Sequence, residues 1–156
     1  MARDIETGER APAFTLPTDG GGSVSLKDFR GKKLVLYFYP KADTPGCTTE
    51  GKDFSRLKER FAKTGTAVLG VSADPVAAQD KFKAKHDLTI ALASDETHKM
   101  LTAYGAWGKK SMYGRTFMGV IRKTFLIDDD GRIARIWPKV SVADHAAEVL
   151  DAAKSL

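Results

Sequence analysis

The chain has one cysteine, and its surroundings are those of a reactive group. Cys47 closes the stretch Tyr37-Phe38-Tyr39-Pro40-Lys41-Ala42-Asp43-Thr44-Pro45-Gly46-Cys47. The apolar run from Leu34 to Tyr39 reads as a buried β-strand. After the cysteine, Phe54, Leu57 and Phe61 recur at helical spacing. Thr44 is expected to cap that helix, with Pro45 in its first position, where a missing N–H costs nothing. Cys47 then falls in the first turn. Free amides and the helix dipole favour an anion there, and the thiolate is the nucleophilic form of cysteine. A lone cysteine can instead be a small apolar core residue. The polar, proline-shaped loop argues against that, since a core position needs no such setting.

The remaining elements must position this loop. Pro12 to Pro17 begins extended, Thr18 to Ser23 is a turn by composition, and Val24 to Leu26 returns, giving an N-terminal hairpin. Leu26 to Phe29 is a brief helical turn ended by Gly31. The Cys47 helix is expected to stop near Lys63-Thr64-Gly65, with lysine in its last turn and glycine beyond. Ala67 to Ser72 is a second apolar strand, so strand, helix and strand describe a right-handed βαβ unit in a parallel core. Asp74-Pro75 opens a helix to about His86, and a short strand lies within Leu88 to Ala93. Ser94-Asp95-Glu96 is expected to cap a helix through Ala103. Tyr104 to Gly119, with Trp107, Met112, Tyr113 and Phe117, reads as an irregular glycine-rich loop. Its aromatic residues suit either a pocket mouth or simple packing. Val120 to Ile127 is a strand, Asp128 to Gly131 a turn, and Arg132 to Trp137 the returning strand. Ser141 to Ala153 forms a final amphipathic helix.

Composition bounds the function. The chain has 156 residues, 42% hydrophobic and 29% charged, as expected of an ordinary globular protein with one core. Met1 to Pro12 lacks the apolar centre of a secretory signal, and no stretch approaches the roughly 20 apolar residues that span a membrane. One cysteine excludes an internal disulfide framework and fits a reducing compartment, so a cytoplasmic location is expected. The net charge of +5 is scattered. Its densest group, Lys109, Lys110 and Arg115, carries no recognisable nucleic-acid motif, so no nucleic-acid partner is expected. The three aspartates at 128–130 read as turn chemistry, and His86, His98 and His145 have no metal-ligand spacing. Neither a metal nor a cofactor is expected.

Pro40, Thr44 and Cys47 fit a pattern of Pro, three residues, Thr, two residues, Cys, and in this the chain resembles the peroxiredoxins. The string from Tyr37 to Thr48 is similar to the bacterioferritin comigratory protein, or Q-type, branch. Gly8 to Phe14, Phe117 to Asp128 and His145 extend the likeness over nearly the whole chain. The resemblance implies a thioredoxin-like α/β fold: a central mixed β-sheet flanked by helices on both faces, an N-terminal β-hairpin extension, and one domain over residues 1–156. It also implies a thiol-specific peroxidase that reduces hydrogen peroxide and organic hydroperoxides, in which Cys47 attacks the O–O bond and becomes a sulfenic acid. Such chemistry needs a positioned peroxide and stabilised charge on the leaving oxygen. The Thr44 hydroxyl can accept from the peroxide and donate toward sulfur. Pro40 and Pro45 would shape the loop, and backbone amides near Gly46 and Cys47 could hold substrate oxygens. Arg122, in Arg122-Lys123-Thr124-Phe125-Leu126-Ile127-Asp128, stands where the family bears its active-site arginine. Glu50, one turn after Cys47, is expected to orient that arginine, and Tyr39 to support the loop.

The chain departs from the family in one respect. Many Q-type members carry a resolving cysteine five residues after the first, where this chain has Lys52. Others carry it near Phe82-Lys83-Ala84, again without a match here. Oxidised Cys47 therefore requires an external thiol (thioredoxin, glutathione or glutaredoxin) or a second chain. A monomer or weak homodimer is expected, with no membrane partner. A non-enzymatic peroxide sensor, or a chaperone exchanging disulfides with clients, would use the same thiol. A Lys52→Cys variant is expected to close an intramolecular disulfide with Cys47 after one equivalent of peroxide, seen by intact mass as the loss of two hydrogen atoms.

Overall fold

The computed structural model describes residues 5–156, so the first four residues of the N-terminal stretch lie outside it. A five-stranded sheet forms the centre, in the order β5 (Ala91–Ser94), β4 (Thr66–Ser72), β3 (Lys33–Phe38), β8 (Lys123–Ile127), β9 (Ile133–Trp137). β3, β4 and β5 run parallel, while β8 and β9 are antiparallel to their neighbours. The sheet is therefore mixed, as expected. β1 (Thr15–Pro17) and β2 (Ser23–Ser25) form the N-terminal hairpin.

The alternation of side chains across β3 divides the core. Leu34, Leu36 and Phe38 face one way, with Phe14, Leu101, Tyr104 and Phe125. Val35, Tyr37 and Tyr39 face the other, with Cys47, Phe54, Phe61, Phe82, Val149 and Leu150. The second face is covered by α1 (Pro45–Lys63), α2 (Val76–His86) and α4 (His145–Lys154). The first is covered by the N-terminal hairpin and the short α3 (Lys99–Ala103). Helices thus lie on both faces. The apolar positions Phe54, Leu57 and Phe61 of α1 are all buried, because a helical period puts them on one stripe.

Several boundaries differ from expectation. Tyr104 to Gly119 is not irregular: β6 (Trp107–Met112) and β7 (Arg115–Val120) form a hairpin, turned at Tyr113-Gly114. Its strands are largely exposed, so apolar and polar residues do not alternate cleanly and the strand signal is weak. The supposed strand from Val120 is two strands, since the backbone leaves the ladder at Ile121-Arg122. Ser94-Asp95-Glu96 does not cap α3 directly. The helix begins after His98, whose backbone is left-handed, and the Asp95 carboxylate reaches forward to accept from the Leu101 amide (2.8 Å). The last helix begins at His145 rather than Ser141. The aspartate turn is turn chemistry, with Asp128 Oδ1 accepting from the amides of Asp130 and Arg132.

The register of β3 against β4 sets Tyr37 opposite Gly70. The Tyr37 ring is buried and stacks on Phe54 with centroids 4.5 Å apart. A methyl group on Gly70 would meet that ring at 2.7 Å. Gly70→Ala is therefore expected to lower the unfolding free energy by about 1–3 kcal/mol, measured by urea denaturation. An unchanged midpoint would show that the ring can yield.

Candidate active site

Cys47 is the third residue of α1, after Pro45 and Gly46, and only 1% of it is exposed. Arg122 reaches it from the connection between β7 and β8. Its Nη2 donates to Cys47 Sγ at 3.3 Å, and its Nη1 donates to Glu50 Oε1. The guanidinium thus bridges a thiol and a carboxylate that lie one helical turn apart. Gly46 makes room for it: a Cβ there would stand 3.3 Å from Nη2. The carboxylate and the sulfur hold the guanidinium charged against the cost of its burial. Glu50 is 1% exposed, and burial pushes its pKa up to about 7 despite the arginine. Its second oxygen has no hydrogen-bond partner among the described residues.

Thr44 precedes α1, but its side chain does not cap it. The hydroxyl donates instead to the Lys41 carbonyl (2.8 Å), closing the loop on itself. Its proton is therefore not directed at sulfur, while its lone pairs stay available to accept. The first helical bond runs from the Thr48 amide to the Thr44 carbonyl. The amides of Gly46 and Cys47, with no carbonyl one turn earlier in the helix, are the free donors of this end. Pro40 ends the strand and Pro45 begins the helix, so rigid residues bracket the loop.

A buried polar network that sequence reading misses fixes this loop from beneath. Tyr39 Oη donates to Gln79 Oε1 (2.5 Å), and Gln79 Nε2 donates to Ser72 Oγ and the Ala93 carbonyl (both 2.9 Å). Ser72 Oγ donates to Asp74 Oδ2, which also accepts from the Ala42 amide (both 2.7 Å). Tyr39 is thereby linked to the loop through three residues, Gln79 on α2, Ser72 at the end of β4 and Asp74 in the connection between them. On the outer side Asp43, in a left-handed conformation, is held by Lys85 Nζ (2.9 Å) and His86 Nε2 (2.6 Å). Those hydrogen bonds keep its carboxyl below the usual range. The one sequence signal for this network is Gln79, a polar residue at an inward position of α2.

The other two histidines pack against aromatic rings. His98 stacks on Trp107. His145 is buried, with its edge against Phe54 and Trp137, and is hydrogen-bonded to Thr124 (2.8 Å). Burial lowers its pKa to about 4. Among the described residues no cluster of three His, Cys, Asp or Glu side chains is arranged to hold a metal, and no helix is long and apolar enough to cross a membrane.

This chain, which sets a partly buried arginine against a cysteine in the first turn of a helix, has known relatives. The AhpC/TSA family profile matches residues 7–136. A putative peroxiredoxin Bcp of Coxiella burnetii is 48% identical over 146 residues, covering 94% of this chain and 97% of that protein. The chain is a peroxiredoxin of the Bcp/PrxQ branch. Peroxiredoxin Bcp of Bacillus subtilis is 46% identical over 152 residues, covering 97% of each chain. In solved structures, a PrxQ cysteine-to-serine mutant of Xylella fastidiosa superimposes with a TM-score of 0.93 at 37% identity, over 99% of this chain and 98% of that one. The bacterioferritin comigratory protein of Xanthomonas campestris, studied for alkyl peroxide reduction, gives 0.89 at 40%, over 96% and 98%. This peroxiredoxin is accordingly a thiol-dependent peroxidase with a thioredoxin-like fold.

Glu50 and His145 give stability opposed responses to pH. Folding raises the Glu50 pKa from 4.5 to about 7, so the folded chain holds a proton that the unfolded chain has lost, and this contribution falls as pH rises through that window. Folding lowers the His145 pKa from 6.5 to about 4, so this contribution falls as pH drops through that window. Between about pH 4.5 and 6.5 the two offset each other. Glu50→Gln is expected to unmask a rise of stability with pH, and His145→Gln a fall, by urea unfolding at pH 4.5, 5.5, 6.5 and 7.5. Parallel profiles for the two variants would refute this assignment.

Proposed function

We propose that Cys47 is the peroxidatic nucleophile, acting on hydrogen peroxide and organic hydroperoxides. The observation that carries this reading is the Arg122 guanidinium, held by buried Glu50 and donating to the sulfur. A fixed, always-charged fork of donors stabilises a thiolate before the reaction and a peroxide oxygen during it. The sulfur attacks the terminal oxygen, an S–O bond forms, and the O–O bond breaks. The departing RO⁻ takes a proton and leaves as water or an alcohol. Thr44 accepts a hydrogen bond from the peroxide, while the Gly46 and Cys47 amides hold its oxygens. Pro40 and Pro45 shape the loop, and Glu50 and Tyr39 position Arg122 and the loop respectively.

The product is a sulfenic acid on the only cysteine of the chain. An external thiol of the thioredoxin, glutaredoxin or glutathione kind condenses with it to a mixed disulfide, releasing water. A second thiol then frees Cys47. Such a cycle suits a reducing, cytoplasmic setting and an antioxidant role.

The test is the rate at which pre-reduced protein reacts with hydrogen peroxide, followed at Cys47 by rapid quench and intact mass. A rate orders of magnitude above that of a free thiolate is expected. Cys47→Ser abolishes turnover, and Arg122→Lys, which loses the fork, lowers the rate about 100-fold. A wild-type rate no faster than an ordinary thiolate, or a Cys47→Ser protein that still turns over, sinks the reading.

A further inference from the structure

Five large hydrophobic side chains are exposed among the described residues, and four of them lie on the β6–β7 hairpin. These are Met112, Tyr113, Phe117 and Met118; Tyr113, at the tip, is 97% exposed. The hairpin forms a sheet of its own, outside the central one. Its root belongs to the active site. Val120 is buried, the Ile121 amide donates to the Ala106 carbonyl (2.7 Å), and Arg122 follows directly. Lys110 Nζ donates to the Val120 carbonyl (2.8 Å), and its partial burial, together with the nearby Arg122 charge, lowers its pKa. No aspartate or glutamate occurs between Thr97 and Ile127, a span that holds Lys99, Lys109, Lys110, Arg115, Arg122 and Lys123.

We infer that this hairpin is the docking surface for the reductant of Cys47, and that the reductant is an acidic dithiol protein. The inference rests on the peroxidase reading above. An exposed apolar ledge of this kind marks an interaction surface, and its cationic frame fits an anionic partner. A second copy of the chain would set Lys109, Lys110 and Arg115 against their own counterparts, which like-charge repulsion opposes. A small thiol has too little apolar surface to use the ledge. The partner must also supply what this chain lacks, a resolving thiol. Its first thiolate attacks the sulfenic sulfur, forming an S–S bond and expelling hydroxide, which is protonated to water. Its second thiolate then attacks the partner's own sulfur, closing the partner's disulfide and releasing Cys47 as thiolate. Two electrons pass from the dithiol to Cys47, matching the two accepted from Cys47 by peroxide. Cys47 is 1% exposed, so this exchange requires the partner's thiolate to gain access to it.

The experiment reads oxidation and reduction separately by stopped flow. An acidic thioredoxin serves as the dithiol-protein probe and glutathione as the small-thiol probe. Lys109→Glu, Arg115→Glu and the tip variant Tyr113→Ser are compared with the parent chain. Reduction by thioredoxin is expected to fall about tenfold in the charge reversals and to slow with added salt. Tyr113→Ser should slow it several-fold, while oxidation by peroxide and reduction by glutathione stay unchanged. Variants reduced by thioredoxin as fast as the parent chain overturn the inference. So does equal slowing with both reductants, and so does a hairpin-dependent dimer in sedimentation velocity, which would assign the surface to a second copy. A slow oxidation step counts against the peroxidase reading alone, because docking is read in the reduction step.

Discussion

The structure depends on a guanidinium placed between a buried carboxylate and a buried sulfur. Arg122 cannot shed its proton, so its desolvation must be offset by partners of opposite or polarisable charge. Glu50 supplies one partner and Cys47 the other, both from one face of α1. Removing Glu50 or Arg122 leaves the other without its ion-pair partner. That constraint ties together elements far apart in the chain: a helix beginning at residue 45 and the connection ahead of a strand that begins at 123.

The sheet provides the rigidity this arrangement needs. β3 is buried on both faces between β4 and β8, so the loop that follows it starts from a fixed point. Where α1 packs on the sheet, Tyr37 stacks on Phe54, and His145 meets Phe54 edge to face. Beside it, the chain of hydrogen bonds from Tyr39 to Asp74 holds the Ala42 amide. Each member of that chain is satisfied, as a buried polar network must be to stabilise one conformation. The loop carrying Thr44 is thus fixed from below by Asp74 and from outside by the Lys85 and His86 contacts to Asp43.

Much of this was legible in the chain. The βαβ unit followed from apolar runs on either side of an amphipathic pattern, and the Asp-Gly turn from local chemistry. The grouping of Thr44, Cys47, Arg122 and Glu50 came from a resemblance, since nothing in composition or periodicity brings residue 122 to residue 47. The hairpin at 107–120 was missed because both its faces are largely exposed, which removes the alternation that identifies a strand. Local pattern makes Thr44 a helix cap, yet the Lys41 carbonyl competes for its hydroxyl and wins, because the loop folds back within reach.

By itself the sequence determined what local patterns determine: the strands of the central sheet, the main helices, and a lone cysteine in a helix's first turn. Backbone periodicity and the restricted geometry of proline act over a few residues, so they can be read without the fold. Only the tertiary structure decided the environment of each group. Glu50 could have been a solvated helix carboxylate, but the packing of α1 on the sheet buries it. Gln79 could have faced water, but its position on α2 places it inside the network under the loop. Burial, and the electrostatics that burial strengthens, depend on which segments meet across the whole chain. That meeting turns an ordinary acid and an ordinary arginine into the partners of Cys47.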